Sequence, residues 1–261
     1  MPGGLRPVER ETLRSVRRLG ELLNLFGLER PELGVTEAAR ALGVSKSSAH
    51  ALLISLAEVG LLCRTPAGRY RLGQRLLSLA EAYRAARRLS PSAQAALWKA
   101  ATSLRCVVSL AVLEGSSLVF VERAVPHPRA KVMVPLGVRL RLHASAAGKV
   151  LLAFRPEREA AAILTSQGEL EPLTENTLTG VVPLLRELRR VRENGYAYNL
   201  GEAFPQDYCL AVPVWGESKE VVAAVSVSMS RRRFWRDRQE ALAAAREVSR
   251  TISALFSGPG G

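Results

Sequence analysis

The sequence predicts an α+β protein in two parts, a short helical N-terminal part and a longer C-terminal part built on an antiparallel sheet flanked by helices. Three observations carry this expectation. A helical periodicity stops at Gly43 and restarts at Ser45; a short alternating run with a turn follows it; and beyond Ser90, β-rich runs are interspersed with capped amphipathic segments. The length of 261 residues and a hydrophobic content of 48% suffice for well-packed cores in one or two domains.

In chain order, Leu13, Val16, Leu19, Leu23 and Phe26 form a helical stripe expected to cover the back of the elements that follow. The stretch GVTEAARALGVSKSSAHALLIS, from Gly34 to Ser55, then spells two short helices. Val35, Ala38, Ala39 and Leu42 give the first an apolar face, with Thr36 as its expected N-cap and Glu37 near its positive end. Gly43 takes the left-handed conformation cheaply and lets the chain turn. Ser45 caps the second helix, whose buried side is expected to be Ala49, Leu52, Leu53, Leu56 and Val59. The opposite side, Lys46, Ser47, Ser48, His50 and Ala51, is small and polar, as suits a helix entering a DNA major groove. Periodicity alone equally describes a helical hairpin inside a globular core.

The next residues favour the DNA-reading alternative. Leu61-Leu62-Cys63, a turn at Thr65 to Gly68, and Arg69-Tyr70-Arg71-Leu72 predict a two-stranded wing. Alternation puts Arg69 and Arg71 on one side, in reach of phosphates together with Arg64, and Tyr70 and Leu72 inward. With RYRLG at Arg69 to Gly73, the run GVSKSSAHALLISLAEVGLL resembles the winged helix-turn-helix of IclR-type bacterial transcriptional regulators. Ser45, Lys46, Ser47, Ser48, His50, Arg64, Arg69 and Arg71 are the expected contacts to double-stranded operator DNA. Ala51 stands where many relatives carry Arg.

Residues 1–75 are therefore expected to form the DNA-binding domain and residues 76–89 a connecting helix, from Leu76, Leu79, Ala80 and Tyr83. Ser90-Pro91 opens the second domain, residues 90–258, with a helix to Leu104. Strands are expected at Cys106 to Leu113 and Leu118 to Val125, joined by the turn Glu114 to Ser117, and a further strand at Ala130 to Val134. Ser145 caps a short helix reaching Phe154; Pro156 to Ser166 and Val181 to Asn194 are helical, the latter stopped by Gly195. Strands at Tyr208 to Trp215 and Glu220 to Ser228 precede a last helix from about Asp237 to Phe256, and the GPGG tail is expected to be loose.

In the last two strands, Cys209, Ala211 and Pro213 share a face opposite Leu210, Val212 and Val214, while Ser226 and Ser228 oppose Val225 and Val227. The small, polar face either lines a ligand site or simply faces water. LHASAAGKVLLA at Leu142 to Ala153, GYAYN, CLAVPV and VVAAVSVSM resemble, in order, the effector-binding half of the same family. The resemblance implies a GAF-like domain whose small-molecule site is carried by Ala146, Ala147, Asn199, Cys209, Ser226 and Ser228. It also implies a homodimer or dimer of dimers, a small organic acid effector and a repressor role. Asn199 stands where family members often carry an acidic residue. The helix start at Ser145 offers backbone N–H groups suited to a small carboxylate.

Other chemistries are weakly supported. The net charge of +13 favours a polyanionic partner, but the clusters Arg84, Arg87, Arg88 and Arg231, Arg232, Arg233, Arg236, Arg238 read as solvated faces. A non-specific or architectural nucleic-acid-binding protein would account for that charge without using the second domain. SAAGK lacks the first Gly and the Ser/Thr of a phosphate loop and reads as a capped helix. His127, His143 and the cysteines show no metal-ligand spacing, so neither metal nor cofactor is expected. A Cys209 nucleophile with His143 as base is the enzyme alternative; a buried strand cysteine is more often inert. Three dispersed cysteines and the lack of an apolar run near the roughly 18 residues of a membrane span predict a cytoplasmic protein with no membrane partner.

Overall fold

The computed structural model describes residues 14–27, 30–86, 89–127, 130 and 132–256. Leu13, Arg87, Arg88 and the GPGG tail lie outside them. The chain divides into two compact units, Met1–Arg88 and Leu89–Gly261.

The first unit contains α1 (Arg14–Leu23), β1 (Glu32–Leu33), α2 (Val35–Leu42), α3 (Lys46–Glu58), β2 (Leu62–Arg64), β3 (Tyr70–Leu72) and α4 (Arg75–Ala86). Its core is Leu22, Leu33, Ala38, Ala39, Ala49, Leu53, Leu56, Leu62 and Tyr70. Ser45 caps α3, accepting from the Ser48 N–H at 3.1 Å, and Gly43 is left-handed with φ of 62°. Several details differ from expectation. The inward residue of α1 is Leu22, flanked by Leu19 and Leu23, whereas Val16 faces outward. Gly34, not Thr36, caps α2, because the Glu37 carboxylate at the third helical position reaches back to accept from the Gly34 N–H at 2.9 Å. Val59 lies just past the end of α3 and is exposed, its carbonyl taken by Arg75 Nη1 at 2.9 Å. Leu72 is likewise exposed, while Tyr70 is buried. An additional short strand, β1, pairs with β3 to give the order β1-β3-β2.

The second unit contains α5 (Pro91–Leu104), β4 (Val107–Glu114), β5 (Ser117–Ala124), β6 (Arg139–Leu140), α6 (Ala146–Ala153), α7 (Glu157–Ser166), α8 (Val181–Asn194), β7 (Ala197–Leu200), β8 (Asp207–Trp215), β9 (Val221–Ser230) and α9 (Arg231–Ala254). Its strands form one antiparallel sheet in the order β6-β5-β4-β9-β8-β7. Leu210, Val212, Val214, Val225 and Val227 pack with α5 and α9 on one face. Cys209, Ala211 and Ala224 pack with α6 and α8 on the other, so the sheet is covered on both sides.

Of the strand expected at Ala130 to Val134, Lys131 lies outside the described residues and the others are not in a strand: Ala130 N–H bonds the His127 carbonyl in a turn, and the Val134 carbonyl is taken by the Arg123 side chain. The edge is completed instead by β6, and the opposite edge by β7, which no strand signal announced. Helix α9 begins six residues earlier than expected. Its arginine-rich start is not merely a solvated face, because Arg233 donates to the carbonyls of Leu104 at 2.6 Å and Arg105 at 2.8 Å, closing the end of α5. Phe234, between arginines in sequence, is fully buried against Tyr198 and Tyr208.

One ion pair is buried within this unit. Lys149 of α6 is 1% exposed and donates to Glu202 Oε1 at 2.6 Å, with Glu187 of α8 at 4.0 Å. The Glu202 N–H in turn donates to Asn199 Oδ1 at 2.7 Å, so the pair fixes the chain leaving β7 beneath α6.

Phe234→Ala is expected to destabilise the protein by about 3–5 kcal/mol, as for a large aromatic lost from a packed core. Arg232→Ala, on the exposed side, should stay within about 0.5 kcal/mol; urea unfolding followed by circular dichroism distinguishes them. Lys149→Met, leaving Glu202 buried without its cation, should cost about 3–5 kcal/mol in the same measurement, and Lys149→Met with Glu202→Leu should recover much of the loss.

Candidate functional site

In the first unit, Ala49, Leu53 and Leu56 anchor α3 inward, which turns its opposite side to solvent. Ser45, Lys46, Ser47, Ser48 and His50 are all exposed, gathered at the N-terminal end of that helix. Lys46 and His50, one turn apart, share a strip, as do Ser47 and Ala51. The serines are organised around the cap: Ser45 Oγ lies 2.9 Å from the hydroxyls of both Ser47 and Ser48. This end of the helix combines exposed backbone N–H groups, hydroxyls and one ammonium group, the donor set that phosphates and base edges accept from.

The wing residues separate into different roles. Arg64 is exposed on β2, and its side chain makes no hydrogen bond or ion pair with a described residue. Arg69 is held by Glu37 at 2.8 Å, Glu32 at 3.6 Å and the Glu32 carbonyl at 3.2 Å, so it clamps the wing to α2 and β1. The Gly34 N–H and the Arg69 guanidinium together hold the Glu37 carboxyl below its ordinary range. Arg71 donates through Nε to Cys63 Sγ at 3.1 Å across the hairpin. Arg69 and Arg71, expected within reach of phosphate, thus both have partners inside the unit.

In the second unit, the small side of the sheet lies against α6 rather than against water. Ser226 is 5% exposed, which excludes the water-facing alternative for that residue. Strand register sets two rows on this face. One runs Arg123, Ser109, Ser226, Ala211 across β5, β4, β9 and β8; the next runs Ser228, Cys209, Asn199 across β9, β8 and β7. Ala146 and Ala147, in the first turn of α6, are buried in the same cluster as Cys209. The fold therefore gathers the six residues singled out from the sequence onto one face and the helix above it. Gly148 permits the close seat of α6: a Cβ there would come within 2.2 Å of the Leu142 carbonyl oxygen. Ser145 Oγ accepts from the Gly148 N–H at 3.0 Å, consistent with a capped helix, and Lys149 is occupied by Glu202.

Three further polar residues join this face that the sequence did not single out. Asp207 accepts from Ser228 Oγ through one oxygen and from Cys209 Sγ at 3.3 Å through the other. Arg123 donates through Nε to Ser109 Oγ at 3.0 Å and through Nη1 to the Val134 carbonyl at 2.6 Å, with the Phe120 ring 5.4 Å from its guanidinium carbon. Asp207 could have been found by extending the Cys209 alternation back two residues. Ser109 and Arg123 could not, because the pairing of β4 with β5 and β9 places them there. Asp207 and Ser228 also line a cleft of about 540 Å³ at the strand ends, with Ala130 and Met133 along its wall and Arg105, Arg231, Arg232 and Arg233 around it.

Burial, and then the nearby Asp207 carboxylate, push the Cys209 thiol well above its ordinary pKa, which disfavours the thiolate a nucleophile requires. His143 is buried with Nε2 3.1 Å from the Glu171 carbonyl, away from a general-base contact to Cys209. Among the described residues, no group of His, Cys, Asp and Glu could hold a metal ion, and no helix is long and apolar enough to cross a membrane.

Comparison with known proteins agrees with this two-part arrangement. Residues 15–66 match the IclR helix-turn-helix domain and residues 81–254 the C-terminal domain of IclR bacterial transcriptional regulators. The HTH-type transcriptional regulator XynR of Escherichia coli (strain K12) is 32% identical over 217 residues, covering 83% of this chain and 86% of that protein. An IclR transcriptional regulator from Alicyclobacillus acidocaldarius aligns with a TM-score of 0.77 at 27% identity, over 95% of this chain and 100% of that one. An IclR homologue from Microbacterium hydrocarbonoxydans, solved in complex with 4-hydroxybenzoate, aligns at 0.73 and 26% identity, over 92% and 98% of the two chains. The chain belongs to the IclR family of bacterial transcriptional regulators, DNA-binding proteins rather than enzymes.

Proposed function

We propose that this regulator is a cytoplasmic repressor that binds a palindromic operator as a homodimer or dimer of dimers and changes its operator affinity when a small organic acid binds the second unit. The observation that carries the effector reading is the cluster of Ser109, Ser226 and Ser228 over two adjoining rows, hydroxyls on a sheet face covered by α6 and edged by a partly buried arginine. A packed sheet face with no ligand to receive would be filled more cheaply with apolar side chains. The neighbour solved with 4-hydroxybenzoate supports a small acid as the ligand class. Ala146, Ala147, Asn199, Cys209, Ser226 and Ser228 form the site's wall, Asn199 acting mainly by holding the Glu202 turn.

On the DNA side, Ser45, Lys46, Ser47, Ser48 and His50 enter the major groove and Arg64 reaches the backbone from the wing. Arg69 positions the wing through Glu37 and Glu32 rather than meeting phosphate itself, and Arg71 does so through Cys63. Ligand binding shifts the sheet and its helices, and α4 carries the change towards the reading heads. The coupling needs only about 1–3 kcal/mol, a change of about 5- to 150-fold in operator affinity.

A thermal-shift screen of the full chain against small metabolic and aromatic acids and their neutral analogues should give a selective rise for an acid, abolished in Ser226→Ala. Electrophoretic mobility shifts with that acid should then move operator affinity within the range above; unchanged affinity with every bound ligand would refute the coupling. In the same assay, Lys46→Ala should weaken binding to all sequences alike, whereas Ser47→Ala or Ser48→Ala should change which site is preferred. Equal losses on every sequence from all three substitutions would overturn the base-reading assignment.

A further inference from the structure

Arg123 of β5 and Asp207 of β8 stand on the same face of the sheet with β4 and β9 between them, and no ion pair joins them among the described residues, although the Asp207 charge acts on Arg123. Each is instead tied to a serine, Arg123 to Ser109 and Asp207 to Ser228. Ser109 faces Ser226 across the β4–β9 ladder, and Ser228 lies two residues further along β9, which makes Ser109 and Ser228 diagonal neighbours. Diagonal pairs on antiparallel strands lie about 7–8 Å apart. The two serines that tie the cation and the anion are thus diagonal neighbours on one face, with Ser226 beside both.

The two poles have opposite needs. Nε and Nη1 of Arg123 are occupied, which leaves Nη2 with no hydrogen bond to a described residue. A guanidinium with donors to spare pairs best with a planar carboxylate. An ionised Asp207 can only accept, and its present donors are a hydroxyl and a thiol, the weaker kind. A ligand hydroxyl donating to Asp207 would replace or supplement the thiol contact.

We propose that the effector is a small hydroxy acid held lengthwise, its carboxylate on Arg123 and its hydroxyl donating to Asp207, so that these two residues set specificity. The inference rests on the effector reading above and sharpens it. The span between the poles suits an acid and a hydroxyl at opposite ends of a carbon frame about as long as a six-membered ring. The face beside them is small, formed by Ser226 and its neighbours Ala211 and Ala224, and the Phe120 ring lies beside the guanidinium. Arg105 and Arg231 to Arg233 around the adjoining cleft favour entry of an anion. A plain acid leaves Asp207 without its added donor, and a neutral alcohol leaves Arg123 without its carboxylate.

The test is isothermal titration of the full-length chain with two matched pairs, 4-hydroxybenzoate against benzoate and 6-hydroxyhexanoate against hexanoate, with phenol as the neutral control. At least one hydroxy acid should bind tenfold or more tighter than its partner, and phenol should bind more weakly than either acid of the aromatic pair. Asp207→Asn should reduce the hydroxy-to-plain ratio to threefold or less. Arg123→Gln should weaken both members of the pair by tenfold or more while keeping their ratio. Arg123→Lys, which keeps the charge but loses the planar fork, should fall between, and circular-dichroism melts identify any variant that fails to fold. Acids that bind without preferring the hydroxyl, or a preference that survives Asp207→Asn in a folded protein, would overturn this inference while leaving an acid-responsive regulator. Absence of binding by all four acids would overturn it; if the wider screen of acids also gave no shift, the effector reading itself would fall.

Discussion

A sheet covered by helices on both faces cannot leave polar side chains to water, and most of what is distinctive in the second unit follows from that constraint. On the side of α5 and α9 the requirement is met mainly by apolar residues, with the buried Ser249 hydroxyl donating to the Pro213 carbonyl. On the side of α6 it is met by mutual satisfaction: Ser228 and Cys209 on Asp207, Ser109 on Arg123, Asn199 on the Glu202 N–H, and Glu202 on Lys149. These bonds tie the polar groups of that side to one another. Among the described residues they also leave donor capacity on Arg123 and acceptor capacity on Asp207.

The DNA-reading unit answers a similar problem with different means. Its core is small, so the wing is held by specific contacts: the Arg69 clamp to Glu37 and Glu32, the Arg71–Cys63 contact, and the seat of Tyr70 in the core. The carboxylate that caps α2 is the one that receives Arg69. Helix start and wing position are therefore set by one side chain, and the exposed end of α3 is presented beside a wing of defined geometry.

Each unit separates scaffold from recognition by chemistry. Apolar side chains and internal ion pairs hold the elements, while the outward donors of α3 and the inward hydroxyls of β4 and β9 are placed by them. The coupling proposed between the two units needs only a small part of the energy that stabilises a domain.

Much of the fold was legible because it rests on local rules. The Gly43 turn, the Ser45 and Ser145 caps, the Pro91 start of α5 and the Gly195 stop of α8 depend on residues within a few positions of each other. Alternation likewise separated Cys209 and Ser226 from Leu210 and Val225, since side-chain direction follows from the pleat itself. The misreadings arose where distant groups intervened. Arg123 took the Val134 carbonyl that a ladder would have used, and Arg233 and Phe234 turned a charged run into the start of a helix. Glu37 moved the start of α2 to Gly34, and Arg69 is paired with two carboxylates of its own unit. Sequence alone thus determined the kind of elements, their order and the sides they bury. Only the tertiary structure decided which polar groups find each other, because hydrogen bonds and ion pairs join residues whose separation along the chain says nothing of their separation in space.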